Sequence, residues 1–166
     1  MDAQANTLTK SRNEDEFGAY HGMHWPTFFI ANVANRHTRN MTNNLRQFGL
    51  IPPMWRVLSF LWDHEELSIG HLADVCGIER TNLSKVVDRM TSEGLVARVS
   101  DPRDGRTTIV RMTGKGEALF RRVAPTVIDY LGESVAGFSE NEVAEFIGYL
   151  KRIQANLNNV AGTASR

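Results

Sequence analysis

The polar residues between Glu79 and Glu93 are of the types that proteins use to bind nucleic acids. Starting from Leu83, apolar residues recur at i, i+3, i+4 and i+7, which predicts an amphipathic helix. Its polar side chains carry hydrogen-bonding groups suited to base edges and phosphates, namely Arg80, Thr81, Asn82, Ser84, Lys85 and Arg89. For Asn82 and Arg89 a position facing a neighbouring helix stays open as the alternative. Most amphipathic helices simply expose such a face to solvent, so the helix alone does not decide between DNA contact and an ordinary surface.

The residues before this helix predict a shorter helix and a tight turn. Ser68 is a suitable N-cap, Gly77 a suitable C-terminal residue, and Ala73 is small enough for a point where two helices cross. A short helix, a glycine-containing turn and a helix with a polar outer face are typical of a helix-turn-helix, whose second helix enters the major groove of DNA. This arrangement favours DNA contact for the second helix.

A β-hairpin is predicted directly after the helix-turn-helix. Beyond Gly94 the periodicity changes from 3.6 to 2, which predicts strands at 95–99 and 108–112. The loop between them is rich in turn-forming residues and carries Arg103 and Arg106. A hairpin in this place can act as a wing, because a narrow minor groove attracts arginine.

The remaining residues predict further helices and a polar N-terminal arm. The predicted fold class is mainly α with a small β-hairpin wing. We expect a flexible arm at 1–20, a winged helix-turn-helix DNA-binding domain at 49–113, and a helical region formed by 21–48 and 114–162.

Four local signals refine the predicted helices. Pro26 suits the first position of a helix that runs on to Gly49, and Pro52 opens the next helix, whose apolar face through Trp62 is expected to be buried. Pro125 lies inside the fifth helix and is expected to bend it or to break its hydrogen-bond ladder. Ser139-Glu140-Asn141-Glu142 has capping-box spacing and starts the last helix.

The composition argues against several other classes of protein. The 19 Lys plus Arg residues balance 19 Asp plus Glu residues, so nucleic-acid binding would need a local basic face. No apolar run reaches the ~20 residues that span a bilayer, and no signal peptide is recognised, so a cytoplasmic location without membrane contact is expected. No nucleophile elbow or paired-carboxylate signature indicates an enzyme, and Gly114-Lys115-Gly116 lacks the spacing of a phosphate-binding loop.

The cysteine and the histidines are interpreted conservatively. Cys76, the one cysteine, falls on the apolar face of the short helix, which favours a buried structural thiol over a redox sensor. His21, His24 and His64 permit a zinc site to be sketched, but no tight pair of Cys or His residues supports it. No metal and no cofactor are therefore predicted.

Several segments between Gly49 and Arg122 carry a resemblance to a known family. They are Trp55-Arg56-Val57-Leu58, Leu72-Ala73, Leu83-Ser84-Lys85-Val86-Val87-Asp88-Arg89-Met90, Glu93-Gly94-Leu95-Val96, Asp101-Pro102-Arg103-Asp104-Gly105-Arg106 and Thr113-Gly114-Lys115-Gly116. On these residues the chain resembles the multiple antibiotic resistance regulator (MarR) family of bacterial winged-helix transcription factors. The resemblance implies a homodimer, formed by the first and the last two helices, that binds a pseudo-palindromic operator in double-stranded DNA.

The resemblance also implies roles for individual residues. Asp104-Gly105-Arg106 matches the family's Asp-x-Arg wing motif, in which the arginine enters the minor groove and the aspartate holds it; the family often has arginine where this chain has Gly105. Members commonly bind aromatic acids between the dimer helices and the winged domain, which makes four residues effector-binding candidates: His24, Phe28, Arg36 and Trp55. Aromatic residues at helical spacing are also common in cores and dimer interfaces, and that alternative stays open.

Together these features predict a sequence-specific DNA-binding transcriptional regulator, most simply a repressor that a small aromatic effector releases. Two alternatives belong to other classes. A winged-helix protein-interaction module would need an exposed apolar anchor on the polar helix, and none is seen there. A small-molecule-binding protein with little DNA affinity would bind every duplex weakly and without salt dependence.

Overall fold

The structure is a computed structural model that describes residues 25–100 and 107–163, with side chains as far as Asn159. The predicted arm at 1–20 lies outside this range. The described elements are α1 (Pro26–Arg46), α2 (Pro52–Asp63), β1 (Glu66–Ser68), α3 (Ile69–Cys76), α4 (Arg80–Ser92), β2 (Val96–Ser100), β3 (Thr108–Met112), α5 (Gly114–Ser134) and α6 (Glu140–Thr163). The mainly helical fold with a small sheet is therefore confirmed. Among these helices, none has the length and apolar character needed to cross a membrane.

The chain divides between Pro52 and Pro53 into two compact units, and α1 belongs to the first. Pro26 occupies the first position of α1, as predicted. The helix ends at Arg46 rather than at Gly49. Gly49 instead has φ +72°, which L-residues with a side chain rarely adopt, and its N–H donates to the Arg46 carbonyl at 3.1 Å in the turn that follows α1.

In the second unit, α2 and α5 contribute much of the apolar core. Met54, Val57, Leu58 and Leu61 of α2 are buried, as are Val123 and Val127 of α5. The expectation that Trp62 is buried with them was wrong, since it is 38% exposed. Its ring stacks on Phe120 with 4.6 Å between centroids. Trp62 therefore covers the edge of the core rather than filling it.

The sheet has three strands in the order β1-β3-β2, and both pairs are antiparallel. The predicted hairpin is present: β3 has the predicted residues and β2 begins and ends one residue later than predicted, with Val96 opposite Met112 and Ser100 opposite Thr108. β1 was not predicted, because three residues are too few to show a period of 2. It pairs with β3 through Leu67 opposite Val110, and Glu66 forms an ion pair with Arg111.

The start of α5 depends on close backbone packing. Thr113 is the N-cap, and its hydroxyl accepts a hydrogen bond from the Gly116 N–H at 3.1 Å. A Cβ on Gly116 would overlap the carbonyl oxygen of Leu95 and would lie 2.7 Å from Cγ of Met112. Only glycine lets the first turn of α5 approach the hairpin so closely.

Two further predictions concern Pro125 in α5 and the capping box at the start of α6. α5 continues through Pro125, so this proline removes one backbone donor without ending the helix. At α6 the capping box is formed as predicted: the Ser139 N–H donates to Glu142 at 2.8 Å, and the Glu142 N–H donates to the Ser139 hydroxyl at 3.3 Å.

Candidate nucleic-acid interface

Helices α3 and α4 form the predicted helix-turn-helix. The Ser68 hydroxyl accepts a hydrogen bond from the His71 N–H at 3.2 Å and caps α3. Gly77 then takes the left-handed conformation with φ +60°, and the Ile78 N–H donates to the Ala73 carbonyl at 3.0 Å. These bonds end α3 and turn the chain into α4 within a few residues.

The apolar faces of both helices are buried, and this fixes which face of α4 points outward. The buried residues are Leu72, Ala73 and Cys76 of α3 and Leu83, Val87 and Met90 of α4. Since α4 is amphipathic, burying this stripe directs the opposite, polar face to solvent. Ala73 is buried, with 6% exposure, and its expected position where two helices cross stays a prediction.

The predicted contact residues of α4 are accessible. Arg80, Thr81, Asn82, Lys85 and Arg89 are exposed, and Ser84 is half-buried. Arg80 and Lys85 form no salt bridge with any described residue, whereas Nε of Arg89 lies 2.8 Å from the Glu93 carboxylate. Among the described residues, the cations of α4 that form no salt bridge therefore lie in its N-terminal half, although the charge of Lys85 also acts on Glu79. The N-terminal half is the part that meets base edges in helix-turn-helix proteins.

Glu79 is the N-cap of α4, a role that the sequence interpretation missed. Its carboxylate accepts hydrogen bonds from the Thr81 N–H at 3.0 Å, from the Asn82 N–H at 3.2 Å and from the Thr81 hydroxyl. The hydrogen bond from the Thr81 hydroxyl, followed by that from the Thr81 N–H, lowers the pKa of Glu79 from its ordinary value. An acidic residue directly before the helix was the available signal.

Arg98 on β2 connects the hairpin to α4. Nη1 of Arg98 lies 2.9 Å from the Asp88 carboxylate, and Nη2 donates to the backbone carbonyl of Ser84 at 3.2 Å. These bonds hold β2 against the outward-facing helix. The sequence did not predict them, because they join residues on different elements.

The predicted tip of the wing lies outside the described residues. β2 and β3 are paired as far as Ser100 opposite Thr108, which holds the two ends of the connecting segment side by side. Arg103, Asp104 and Arg106 belong to that segment and lie outside the described residues. Their roles stay predictions.

The first turn of α5 holds the C-terminal end of α4. Gly94 has φ +71°; the Thr113 hydroxyl donates to its carbonyl at 2.7 Å, and Nζ of Lys115 donates to the Glu93 carbonyl at 2.6 Å. The carbonyls at a helix C-terminus lack partners within the helix and carry partial negative charge, so a lysine is a favourable partner. Lys115 of Gly114-Lys115-Gly116 thus stabilises the C-terminal end of α4.

The described effector-binding candidates are divided between α1 and α2. Phe28 and Arg36 are exposed on α1, and the Phe28 ring packs edge-on against Phe29 with 5.7 Å between centroids. Trp55 on α2 is half-buried and stacks on Phe120 of α5 at 5.1 Å. The fourth candidate, His24, lies outside the described residues. Their gathering in one pocket stays a prediction.

Cys76 lies within the described residues, whereas two of the three histidines of the sketched zinc site do not. Cys76 is buried, as predicted, and burial raises the pKa of its thiol to about 11 although the Arg56 guanidinium acts in the opposite direction. Within the described ranges, no group of three or more His, Cys, Asp or Glu side chains is arranged to hold a metal ion. His21 and His24 lie outside those ranges.

Comparison with known proteins identifies the family. Residues 48–107 match the model of the MarR family. The chain is 32% identical over 133 residues to the HTH-type transcriptional repressor IacR of Pseudomonas putida, covering 80% of each protein. The chain belongs to the MarR family. It is also 33% identical over 134 residues to the transcriptional activatory protein BadR of Rhodopseudomonas palustris, covering 78% of this chain and 77% of BadR.

Solved structures of the MarR family share the fold. A MarR family regulator from Silicibacter pomeroyi has a TM-score of 0.72 and 25% identity, over 87% of this chain and 96% of that one. A mutant of MarR from E. coli complexed with operator DNA has a TM-score of 0.70 and 22% identity, over 86% and 99%. BpsR of Bordetella bronchiseptica, whose DNA binding is regulated by 6-hydroxynicotinic acid, has a TM-score of 0.74 and 21% identity, over 81% and 96%. This MarR family protein is accordingly a winged-helix, DNA-binding transcriptional regulator.

Proposed function

We propose that this protein is a homodimeric repressor that binds a pseudo-palindromic operator through α4 and the wing. The observation that carries the proposal is the N-terminal half of α4, where Arg80 and Lys85 are exposed and free of salt bridges among the described residues. Arg80, Thr81, Asn82 and Ser84 contact base edges or phosphates in the major groove, and Lys85 neutralises a phosphate. Arg89 contributes less, since it is paired with Glu93.

The wing supplies the second set of contacts. We infer that Arg106 enters the minor groove beside the bound major groove, that Asp104 orients its guanidinium, and that Arg103 contacts a phosphate. The paired strands β2 and β3 support this role, because they hold the ends of the wing segment together. Arg98, which is tied to Asp88 and Ser84, fixes the wing relative to α4.

Homodimerisation is supported by apolar side chains that the described residues leave exposed. At the end of α5 and after it these are Ile128, Leu131, Val135 and Phe138; along α6 they are Phe146, Ile147 and Leu157. An exposed apolar surface of this extent is typical of a subunit interface rather than of a monomer's surface. Two copies of α4 then meet half-sites about 34 Å apart.

We infer that a small aromatic acid releases the repressor from its operator. Phe28 and Trp55 offer aromatic rings, while Arg36 offers positive charge and His24 a hydrogen-bond donor for a carboxylate. BpsR, which shares the fold, is regulated by such an acid. Release requires that the effector bind more tightly to a dimer whose α4 helices have the wrong spacing, because equal affinity for both states shifts nothing.

The remaining assignments follow from this role. The protein is proposed to act in the cytoplasm, where operator DNA is found, without a cofactor and without catalytic activity. The relatives are named both as a repressor and as an activator, so the sign of regulation is part of the proposal. Transcription from the target promoter with and without purified protein measures that sign directly.

Fluorescence anisotropy with a labelled fragment from upstream of the protein's own gene tests operator binding. We expect tight binding with a steep salt dependence, and weaker binding to a scrambled duplex. Arg106→Ala is expected to weaken operator binding by ~1–3 kcal/mol without changing the unfolding midpoint. Unchanged affinity at matched salt would remove Arg106 from the interface.

The same titration separates the alternatives. Weak, salt-insensitive binding to all duplexes, including those selected from a random genomic library, would favour a small-molecule-binding protein. A protein-interaction module is disfavoured by the polar character of the residues that α4 exposes.

A further inference from the structure

The start of α4 combines an acidic cap with the first residues of the proposed DNA-reading face. Glu79 is exposed and stands directly before Arg80, and its carboxylate holds Thr81 through both the backbone N–H and the side-chain hydroxyl. Thr81 is itself exposed. The acidic residue Glu79 therefore controls the hydrogen bonding of Thr81, which belongs to the proposed DNA interface.

The direction of the side-chain hydrogen bond follows from chemistry. An ionised carboxylate can only accept hydrogen bonds, and the exposed carboxyl of Glu79, like an ordinary glutamate, is ionised at neutral pH. The Thr81 hydroxyl must therefore be the donor in its bond with Glu79. Since a hydroxyl has one hydrogen atom, Oγ1 of Thr81 retains only lone pairs for any other partner.

The backbone at this end of the helix is similarly committed. The Thr81 and Asn82 N–H groups both donate to Glu79. Free N–H groups at a helix start usually attract phosphate, but here two of them are occupied and a negative charge lies beside them. These two N–H groups are therefore not available to a phosphate, and DNA contacts at this part of α4 depend on its side chains.

We propose that Glu79 is a specificity-determining positioning residue, which makes Thr81 select a base that offers an exocyclic amino group in the major groove, N4 of cytosine or N6 of adenine. In the major groove guanine presents acceptors and thymine an acceptor and a methyl group, so neither gives Thr81 a hydrogen. Arg80, which can only donate, has the opposite preference and suits guanine. This inference rests on the proposed function, in which α4 reads the operator.

The test begins with the operator that the purified full-length protein selects from random duplexes. In that operator each adenine is replaced in turn by purine and each cytosine by pyrimidin-2-one, which removes only the exocyclic amino group. We expect one position in each half-site where this deletion weakens binding of the wild-type protein roughly 10-fold. All variants are measured on the same duplexes, so the weaker base pairing of the analogues cancels in the comparison.

Three substitutions then assign that position. Thr81→Val removes the hydroxyl and Glu79→Gln removes the charge that fixes its direction; both are expected to reduce the roughly 10-fold penalty to below about 3-fold. Thr81→Ser keeps the hydroxyl and is expected to keep the penalty.

A matched control separates selectivity from helix capping. Glu142 caps α6 by accepting hydrogen bonds from the Ser139 N–H and hydroxyl, and these bonds lower its pKa as well. Glu142→Gln therefore removes a comparable capping carboxylate away from α4, and it is expected to leave the penalty at 10-fold.

Each outcome bears on a different claim. Specific operator binding with the same single-base profile in wild-type protein, Glu79→Gln and Thr81→Val would overturn the inference and leave Glu79 as a cap only. Binding without preference for any duplex would overturn the proposed function, and the inference with it.

Discussion

Helices α4 and α6 arise from the same kind of sequence signal but differ in how much of their apolar face the described chain covers. In α4 the residues Leu83, Val87 and Met90 are buried. In α6 the corresponding stripe is largely uncovered, and Leu157 is 57% exposed. Amphipathic periodicity therefore predicts that a face will be buried, but it does not say whether the same chain buries it.

The difference separates two tasks within one subunit. The described parts of the helix-turn-helix and its sheet bury their apolar residues without any partner, so a single chain fixes the shape of the surface that is proposed to meet DNA. The end of α5 and α6 leave apolar residues for a second surface. In the proposed dimer, the spacing of the two α4 helices is then set by the end of α5 and by α6, where a single chain leaves apolar residues exposed.

The largest effect is expected from a charge on the uncovered face of α6. Leu157→Glu should dissociate the dimer, because an unpaired charge in an apolar interface costs several kcal/mol. We expect the dimer dissociation constant, measured by analytical ultracentrifugation, to rise roughly 100-fold or more. Operator affinity should fall with it, since both half-sites are no longer held together.

Ala155→Glu is the matched control for this substitution. It introduces the same charge on the opposite side of α6, at an exposed position. The control is expected to stay dimeric. A dimer that withstands Leu157→Glu would mean that this stripe is covered by something other than a second copy, and it would weaken the contrast between α4 and α6.

A second prediction concerns how rarely the helix-turn-helix opens and exposes Cys76 to solvent. Cys76 is buried and the pKa of its thiol is about 11, so the native protein should contain little thiolate at pH 8. We expect a thiol reagent to label Cys76 roughly 100-fold more slowly than a new, exposed thiol made by Ala155→Cys in a Cys76→Ser background. Equal rates would show that this region opens readily.

The raised pKa of Cys76 also makes the free energy of unfolding depend on pH. The unfolded chain loses the thiol proton at its ordinary pKa of 9.0, before the folded protein does. The contribution of this group is therefore fully present below pH 9 and is lost as the pH rises towards 11. Urea unfolding midpoints of wild-type protein and Cys76→Ser should accordingly converge or cross over this interval.

The smallest effect is expected where the first turn of α5 packs against the hairpin of β2 and β3. Gly116→Ala places a methyl group against the Leu95 carbonyl and the Met112 side chain, so we expect the free energy of unfolding in urea to fall by ~1–3 kcal/mol. Gly114→Ala, where a Cβ meets nothing within 4 Å, should leave stability unchanged or raise it by less than about 1 kcal/mol. Equal midpoints for the two variants would contradict the close packing of α5 on the hairpin.

Local signals predicted most of the fold correctly. Ser68, Gly77 and the capping box at Ser139 act on residues three or four positions away, so their effects are visible in a short stretch of sequence. The same holds for the residues that α4 exposes. β1 was missed because its three residues form a strand only by pairing with β3.

The parts of the site that sequence reasoning missed depend on distant or directional contacts. The bond from Arg98 to Ser84 and the bond from Lys115 to Glu93 join residues that only the folded chain brings together. Glu79 was identified as the start of a helix, but its bond to the Thr81 hydroxyl depends on the orientation of two side chains. Trp62 follows the periodicity of a buried face, and yet it lies at the rim of the core on Phe120.

The hold of Lys115 and Thr113 on the end of α4 has a mechanical consequence. Both residues belong to the start of α5, and the far end of that helix carries the uncovered residues Ile128 and Leu131. A helix of 21 residues is about 31 Å long, so a tilt of about 5° moves one end by about 3 Å relative to the other. In the proposed dimer α5 thus acts as a lever arm: a small tilt imposed at the proposed subunit interface becomes a displacement of several ångströms at the C-terminal end of α4, the helix proposed to read DNA.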